Sequence, residues 1–442
     1  MADGTARARS GGGRSRRAAL EAQPLLFAEL RQQPARPSPL AQELLAFRQF
    51  GGRTEFTTTP GGAGTLRRTV DTYRNEFWTS AQRAGHSLHE VSYRACFKQE
   101  LPAFFIDRLT QPGDVVYDPF SGRGTTALAA ALRGRVPFAN DISPLAAMLL
   151  RPRLVPPALA AIEQRLTALD LGAAGELPEE LLVFFHRDTL REICALRAHL
   201  LARAAAGALD PVDDWIRMVA VNRLTGHSPG FFSVYTLPPN QAVSVAAQQK
   251  INHKRQQLPP RRSVPEIVLK KSRSLLADCD AASRTALAAV ADRSLLSTSP
   301  ADRTAAIADR SVQLVVTSPP FLDVVHYSQD NWLRCWFCGV DADAVPITMA
   351  RTLPLWAAAM TAVFHELHRV LAPGGAVAFE VGEVKGGSVR LEETVIPCAV
   401  AAGFEPELVL VNQQQFTKTA NCWGIDNNRK GTNSNRVVLL RR

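Results

Sequence analysis

Two hydrophobic rhythms divide this chain. Val312-Gln313-Leu314-Val315-Val316 is a nearly unbroken apolar run that reads as a buried strand. Pro319 and Pro320 follow closely and forbid continuation of either a sheet or a helix. Asp114-Val115-Val116-Tyr117-Asp118 reads the same way. It leads through Gly122 and Gly124 into the helix-like stretch Ala127 to Gly134, and then to a second short strand, Val136 to Asp141. Near the carboxyl end, Glu366 to Leu371 reads as a helix, Pro373-Gly374-Gly375 as a turn and Ala376 to Gly382 as a strand. Strands alternating with helices predict an α/β domain with a doubly wound, mostly parallel sheet.

Helical spacing takes over elsewhere. Leu20, Leu25, Leu26, Phe27 and Leu30 recur at helical intervals, as do Leu190, Ile193, Leu196 and Leu200 in a stretch starting near Pro157. The expected organisation is therefore a disordered basic tail over 1–18 and an N-terminal helical segment over 19–89. The first part of the α/β domain spans 90–150, a large insertion 151–294, and the second part 295–442. Within the N-terminal segment, Thr54 to Gly64 is read as a link. Trp78, His86, His89 and Tyr93 are expected either to cover a ligand pocket or simply to pack.

Composition narrows the partners. The 442 residues carry a formal net charge of +10, which favours a polyanion. Part of this charge is concentrated in the insertion, where Lys250, Lys254, Arg255, Arg261 and Arg262 precede Lys270, Lys271 and Arg273 against the single acid Glu266. Phosphate contact is expected of them, with a solvated helical face as the alternative. Asn222, Arg223 and His227 lie upstream in a loop-like stretch rich in aromatics and are candidate readers of base edges. Seven scattered cysteines suggest no disulfide framework and point to a reducing cytoplasm. Cys335 and Cys338 are expected to pack among Trp332, Trp336 and Phe337, since two further zinc ligands cannot be placed. No metal site is expected. No apolar run reaches membrane-spanning length, and the Arg-rich start lacks the core of a signal peptide.

The chemistry concentrates at two strand ends. Gly122 and Gly124 permit positive φ and bring backbone N–H groups close to a ligand at a helix N-terminus. Asp141, about twenty residues on, is placed to accept hydrogen bonds from ribose hydroxyls. Thr317-Ser318-Pro319-Pro320-Phe321 forms a rigid corner with a hydroxyl, a carbonyl and an aromatic ring. A flat heterocycle with an exocyclic amino group would suit it, donating to Ser318 and to the Pro319 carbonyl while stacking on Phe321.

Taken together, Asp118-Pro119-Phe120-Ser121-Gly122-Arg123-Gly124-Thr125-Thr126 and Thr317-Ser318-Pro319-Pro320-Phe321 resemble the amino-methyltransferases of DNA, which methylate cytosine N4 or adenine N6. Phe97 to Pro102 resembles that family's cofactor-covering segment, and Glu366 to Gly382 its late helix, turn and strand. The resemblance covers roughly residues 90 to 150 and 295 to 442. It implies a seven-stranded Rossmann-like methyltransferase sheet and S-adenosyl-L-methionine as cofactor. Phe97, Asp118, Pro119, Phe120, Gly122, Gly124, Thr125, Asp141, Asp302 and Thr317 are then expected to hold the cofactor. Ser318, Pro319, Pro320 and Phe321 are expected to carry catalysis on a base flipped out of double-stranded DNA. Thr317-Ser318, where related adenine enzymes more often carry an acid or Asn, favours cytosine N4. Adenine N6 or an RNA amino group is the alternative, and a non-catalytic DNA-binding relative is disfavoured by the intact motifs. A restriction endonuclease partner, and a monomer or weak dimer, complete the expectation.

Overall fold

A computed structural model describes residues 37–61, 69–79, 85–93, 96–173, 175–236, 242–320, 327–347, 350, 352–384, 389–413 and 434–442. The expected basic tail over 1–18 and the apolar helical positions from Leu20 to Leu30 lie outside them. The chain divides into two compact units, 1–44 and 45–442. The first is described only from residue 37, where helix α1 (Pro39–Ala46) starts.

The second unit is built on one nine-stranded sheet. In chain order its strands are β1 (Glu55–Pro60), β2 (Thr69–Asn75), β3 (Val115–Asp118), β4 (Val136–Asp141), β5 (Leu295–Thr298), β6 (Val312–Thr317), β7 (Leu371–Val381), β8 (Glu405–Gln413) and β9 (Ser434–Arg441). Across the sheet they run β1-β2-β8-β9-β7-β6-β3-β4-β5. From β5 to β7 every pairing is parallel; β9 is antiparallel to both of its neighbours. The mostly parallel Rossmann-like sheet is thus present, with β3 and β6 as central neighbours. Such a pair opens a crevice beyond its carboxyl ends.

Two strands more than the expected seven are present, because the segment before the first glycine motif is not all helical. Glu55 to Pro60, read as a link, is strand β1, and Thr69 to Asn75 is β2. Three consecutive threonines suit an extended, pleated backbone. Thr59 and Thr72 join their hydroxyls across the pair at 2.7 Å in a buried position. β2 then runs parallel to β8, extending the sheet. Trp78 packs against Phe104, with ring centroids 5.3 Å apart, and Asn412 holds its backbone N–H and C=O.

The helices are α2 (Glu100–Leu109), α3 (Thr125–Ala131), α4 (Pro144–Leu154), α5 (Leu159–Ala168), α6 (Arg187–Ala205), α7 (Pro211–Val221), α8 (Val245–Arg255), α9 (Val264–Leu275), α10 (Ala281–Ala291), α11 (Tyr327–Cys338), α12 (Leu353–Val370) and α13 (Leu391–Ala401). Two apolar cores result. One joins Tyr117, Val315, Val377 and Phe379 of the sheet to α12 and α13. The other joins Val136 and Ala139 to α3 and α4, and continues without a break into α5, α6, α7 and α9. The insertion is therefore mainly a set of helices sharing the core of the α/β domain. Trp215 of α7 is fully buried there, and its Nε1 donates to Ser272 of α9 at 2.9 Å.

Candidate active site

Buried side chains lock the carboxyl ends of β3 and β6 together. The Asp118 carboxylate accepts from the Phe120 N–H at 3.1 Å and from the Thr317 hydroxyl at 2.6 Å, while Thr126 donates to the Val316 carbonyl at 3.0 Å. Burial pushes the Asp118 carboxyl up to about 7 despite these hydrogen bonds. The glycine turn and the Ser-Pro-Pro turn consequently emerge side by side.

Gly122 has φ +51° and donates its N–H to the Asp141 carboxylate at 2.8 Å. Gly124, φ +79°, starts α3, and a Cβ there would come within 2.8 Å of the Leu150 side chain. Both positions need glycine for conformation, and Gly124 also for space. Asp141 ends β4 and accepts a second N–H, from Ser143, at 2.9 Å. Burial raises its pKa, and hydrogen bonds from the Ser143, Gly122 and Ile142 backbone oppose that rise. Each carboxylate oxygen keeps a lone pair for a ligand hydroxyl.

Asn140, fully buried, extends the site to β5. Its amide donates to the Ser299 carbonyl at 2.8 Å and its oxygen accepts from the Ser297 and Ser299 hydroxyls, each at 2.8 Å. These bonds fix the backbone that turns Pro300, Ala301 and Asp302 into a wall of the cavity. Sequence reasoning passed over Asn140, although an amide inside an apolar strand needs buried partners.

One cavity gathers these pieces. Gly122, Asp141 and Asp302 are on its wall, as are Pro119, Phe120, Ser318, Pro319 and Pro320. Ile142, Trp356, Met360 and Val363 supply apolar lining. Trp356, 2% exposed, donates its indole N–H to the Pro320 carbonyl at 2.9 Å and so holds the proline corner.

Behind Ser318 lies a carboxylate that neither the glycine motif nor the Ser-Pro-Pro motif contains. Thr317 is paired with Phe379 across β6 and β7, so Ser318 and Glu380 come next in register and share a face of the sheet. The Ser318 side chain hydrogen-bonds Glu380, and Asn435 of β9 donates to the same carboxylate at 3.1 Å. Burial raises the Glu380 pKa, opposed by the bonds from Ser318 and Asn435. A charged residue within the apolar strand Ala376 to Val381 was the available signal.

The other candidates are distributed differently. Asp118, Thr125 and Thr317 are buried, and none of them is on the cavity wall. Phe97 contributes its carbonyl to Arg123 at 3.2 Å, while Tyr93 and Cys96 reach the wall. Phe321 lies outside the described residues. Asn222 turns inward and donates to the Met218 carbonyl at 3.1 Å, which withdraws it from any base edge. His227 is exposed, as are Lys250, Lys254 and Arg255 on α8; the Arg255 guanidinium lies 3.7 Å from the Tyr235 ring centre. Arg261 pairs with Glu192, and the Arg262 backbone is bonded to Thr189. The basic segment thus draws acids from other elements, which its own sequence hides. No group of side chains among the described residues is arranged to hold a metal ion. Nor is any described helix long and apolar enough to cross a membrane.

Residues 53–146 match the N6/N4 methyltransferase family, described as DNA methylase. This segment runs from the threonine-rich strand β1 through the glycine turn to Asp141 and the start of α4. The match makes this segment an S-adenosylmethionine-dependent methyltransferase domain of the N6/N4 type. No curated protein matches the chain. Among solved structures, a geranyl diphosphate methyltransferase in complex with GPP and sinefungin is 9% identical, with 77% of each chain covered and a TM-score of 0.31. TrmN from Thermus thermophilus is 13% identical over 79% of this chain and 50% of its own, with a TM-score of 0.28. The rRNA methyltransferase AviRa from Streptomyces viridochromogenes is 12% identical over 81% and 90%, with a TM-score of 0.30. The chain spans half the length of TrmN. Likenesses this weak carry no functional argument.

The cavity fits the cofactor. Gly122 has no side chain to fill the turn, the Asp141 and Asp302 carboxylates on the wall could accept from hydroxyls, and the wall at Trp356, Met360 and Val363 is apolar enough for a flat heterocycle. Replacing Asp141 by Ala is expected to weaken S-adenosylmethionine binding by about 1–3 kcal/mol through lost ribose hydrogen bonds. Titration calorimetry checks this; unchanged affinity removes Asp141 from the site.

Proposed function

We propose that this protein methylates the exocyclic N4 amino group of cytosine in duplex DNA, with the target base flipped into the cavity beside Ser318. The observation that carries the reading is the bond between Ser318 and Glu380 at the mouth of β6. With its proton committed to that carboxylate, the Ser318 oxygen offers lone pairs to the cavity. The Pro319 carbonyl is a second acceptor on the same corner. Two acceptors suit an NH2 group, which has two hydrogens to donate.

S-adenosylmethionine, when bound, supplies an electrophilic methyl group on a sulfonium. The amine is a poor nucleophile because its lone pair is delocalised into the ring. Holding both hydrogens at Ser318 and Pro319 draws the nitrogen towards tetrahedral geometry and frees that lone pair. As the nitrogen gains its methyl it becomes positively charged and sheds a proton. Ser318 takes that proton and passes its own to Glu380, which leaves the hydroxyl neutral.

The basic helix α8, with its exposed lysines, supports a polyanionic duplex. A cognate restriction endonuclease remains part of this proposal on the family resemblance alone. Single-molecule sequencing of DNA from a methylation-free host expressing the protein tests the whole reading. N4-methylcytosine at one recurring sequence is the expected result. Modified adenine alone would overturn the cytosine assignment, and unmodified DNA would overturn the DNA substrate.

A further inference from the structure

Three cations from different parts of the helical insertion and its surroundings converge beside the cavity wall. Arg223 follows the end of α7, with its guanidinium 4.1 Å from the Phe231 ring centre and its Nε donating to the Asn222 carbonyl at 2.7 Å. Its two terminal nitrogens have no acceptor among the described residues. Arg334 of α11, 8% exposed, donates to Asn331 at 2.9 Å and to the Ser92 carbonyl at 3.2 Å. It sits 5.5 Å from the ring centre of Tyr93, which lines the cavity and lies against Gly122. Lys271 of α9 is 3.6 Å from Glu90, whose side chain is 60% exposed.

These charges work against one another. Burial and then Arg334 bring the Arg223 pKa down to about 10, and burial and then Arg223 lower that of Lys271. Glu90 facing Lys271 and Asp330 facing Arg334 are the acids that oppose them. Among the described residues no acid opposes Arg223 itself. Half-burying like charges costs stability unless an anion joins them. For packing on Phe231, a neutral side chain would serve better.

We propose that Arg223, with Lys271 beside it, forms an oxyanion site for a backbone phosphodiester of the strand whose base enters the cavity. The inference rests on the nucleic-acid methylation read above. A guanidinium fork held over an aromatic ring is preorganised to grip two phosphate oxygens. The cofactor's carboxylate is the other oxyanion within the protein's chemistry. Arg223 is not on the cavity wall, which favours the phosphodiester. Arg223 is on this account a positioning contact for the strand, where the sequence had pointed to a base-edge reader.

The test uses the full chain carrying Arg223→Gln or Arg223→Met, with fluorescent duplexes that contain or lack the target sequence. Affinity for both duplexes is expected to fall about tenfold at 0.1 M salt, and the log–log salt slope to become shallower by about 1. Cofactor affinity should hold, and the melting temperature should stay or rise, because an unpaired buried charge has gone. Loss confined to the target-bearing duplex overturns the phosphate site in favour of base reading. Loss of cofactor affinity with DNA binding intact assigns the oxyanion to the cofactor, and an unchanged slope also overturns the proposal. If both Arg223 variants melt early, Lys271→Gln carries the same measurement, since its partner Glu90 is solvated. Wild-type protein that binds DNA without methylating it would sink the methyltransferase reading and leave the slope test standing.

Discussion

Ser318→Ala is expected to slow methyl transfer roughly 30- to 1000-fold, a cost of about 2–4 kcal/mol in the transition state. The substitution removes one of two acceptors for the amino group and leaves the Pro319 carbonyl in place. It also strips Glu380 of a hydrogen-bond donor, so the buried carboxylate should become harder to ionise. Cofactor binding should survive, because Gly122 and Asp141 hold each other independently of Ser318. Single-turnover methylation of duplexes whose target offers only cytosine or only adenine measures the effect directly. Full activity in the variant would mean that the hydroxyl is not an acceptor in the transition state.

Glu380→Gln should lower the same rate about 100-fold, the lower end of what a positioned proton acceptor supplies. Glutamine keeps the volume and retains an oxygen for the Ser318 and Asn435 donors, so folding and cofactor affinity should change little. The pH profile separates proton acceptance from a merely structural role. Glu380 must be ionised to accept, and burial raises its pKa. The wild-type rate should therefore fall as pH drops through that raised value. In Glu380→Gln the limb should disappear, leaving a slow and flat profile. A variant that keeps the wild-type acid limb would place the titrating group elsewhere, with Asp118 and Asp141 the next buried carboxyls to examine.

Both experiments probe a site only half legible in the chain. Gly122, Gly124, Asp141 and the Ser318 corner are readable because local rules govern them. A glycine is needed where φ is positive, a proline ends a strand, and an apolar run of a few residues is buried. Of the insertion, the stretch from Pro157 with Leu190, Ile193, Leu196 and Leu200 is readable as helix for the same reason, whereas α7 to α10 are not. Asn222 was misread as surface-facing, because nothing local tells whether an amide at a helix end turns towards solvent or back to its own helix.

The sequence by itself determined that strands alternate with helices and where the two turns fall. The tertiary structure decided what those turns meet. Glu380 becomes Ser318's partner only through the register of β6 against β7, and Asn435 joins them only because β9 inserts beside β7. Glu55 to Pro60 and Thr69 to Asn75 became strands because the edge at β8 was open to pair with β2. Arg261 lost its free charge to Glu192 on α6, whereas Arg223 was left with terminal nitrogens facing no acceptor among the described residues. Each outcome depends on pairing between residues far apart in the chain. Such pairing is set by sheet order and shared burial, which no short window of sequence contains.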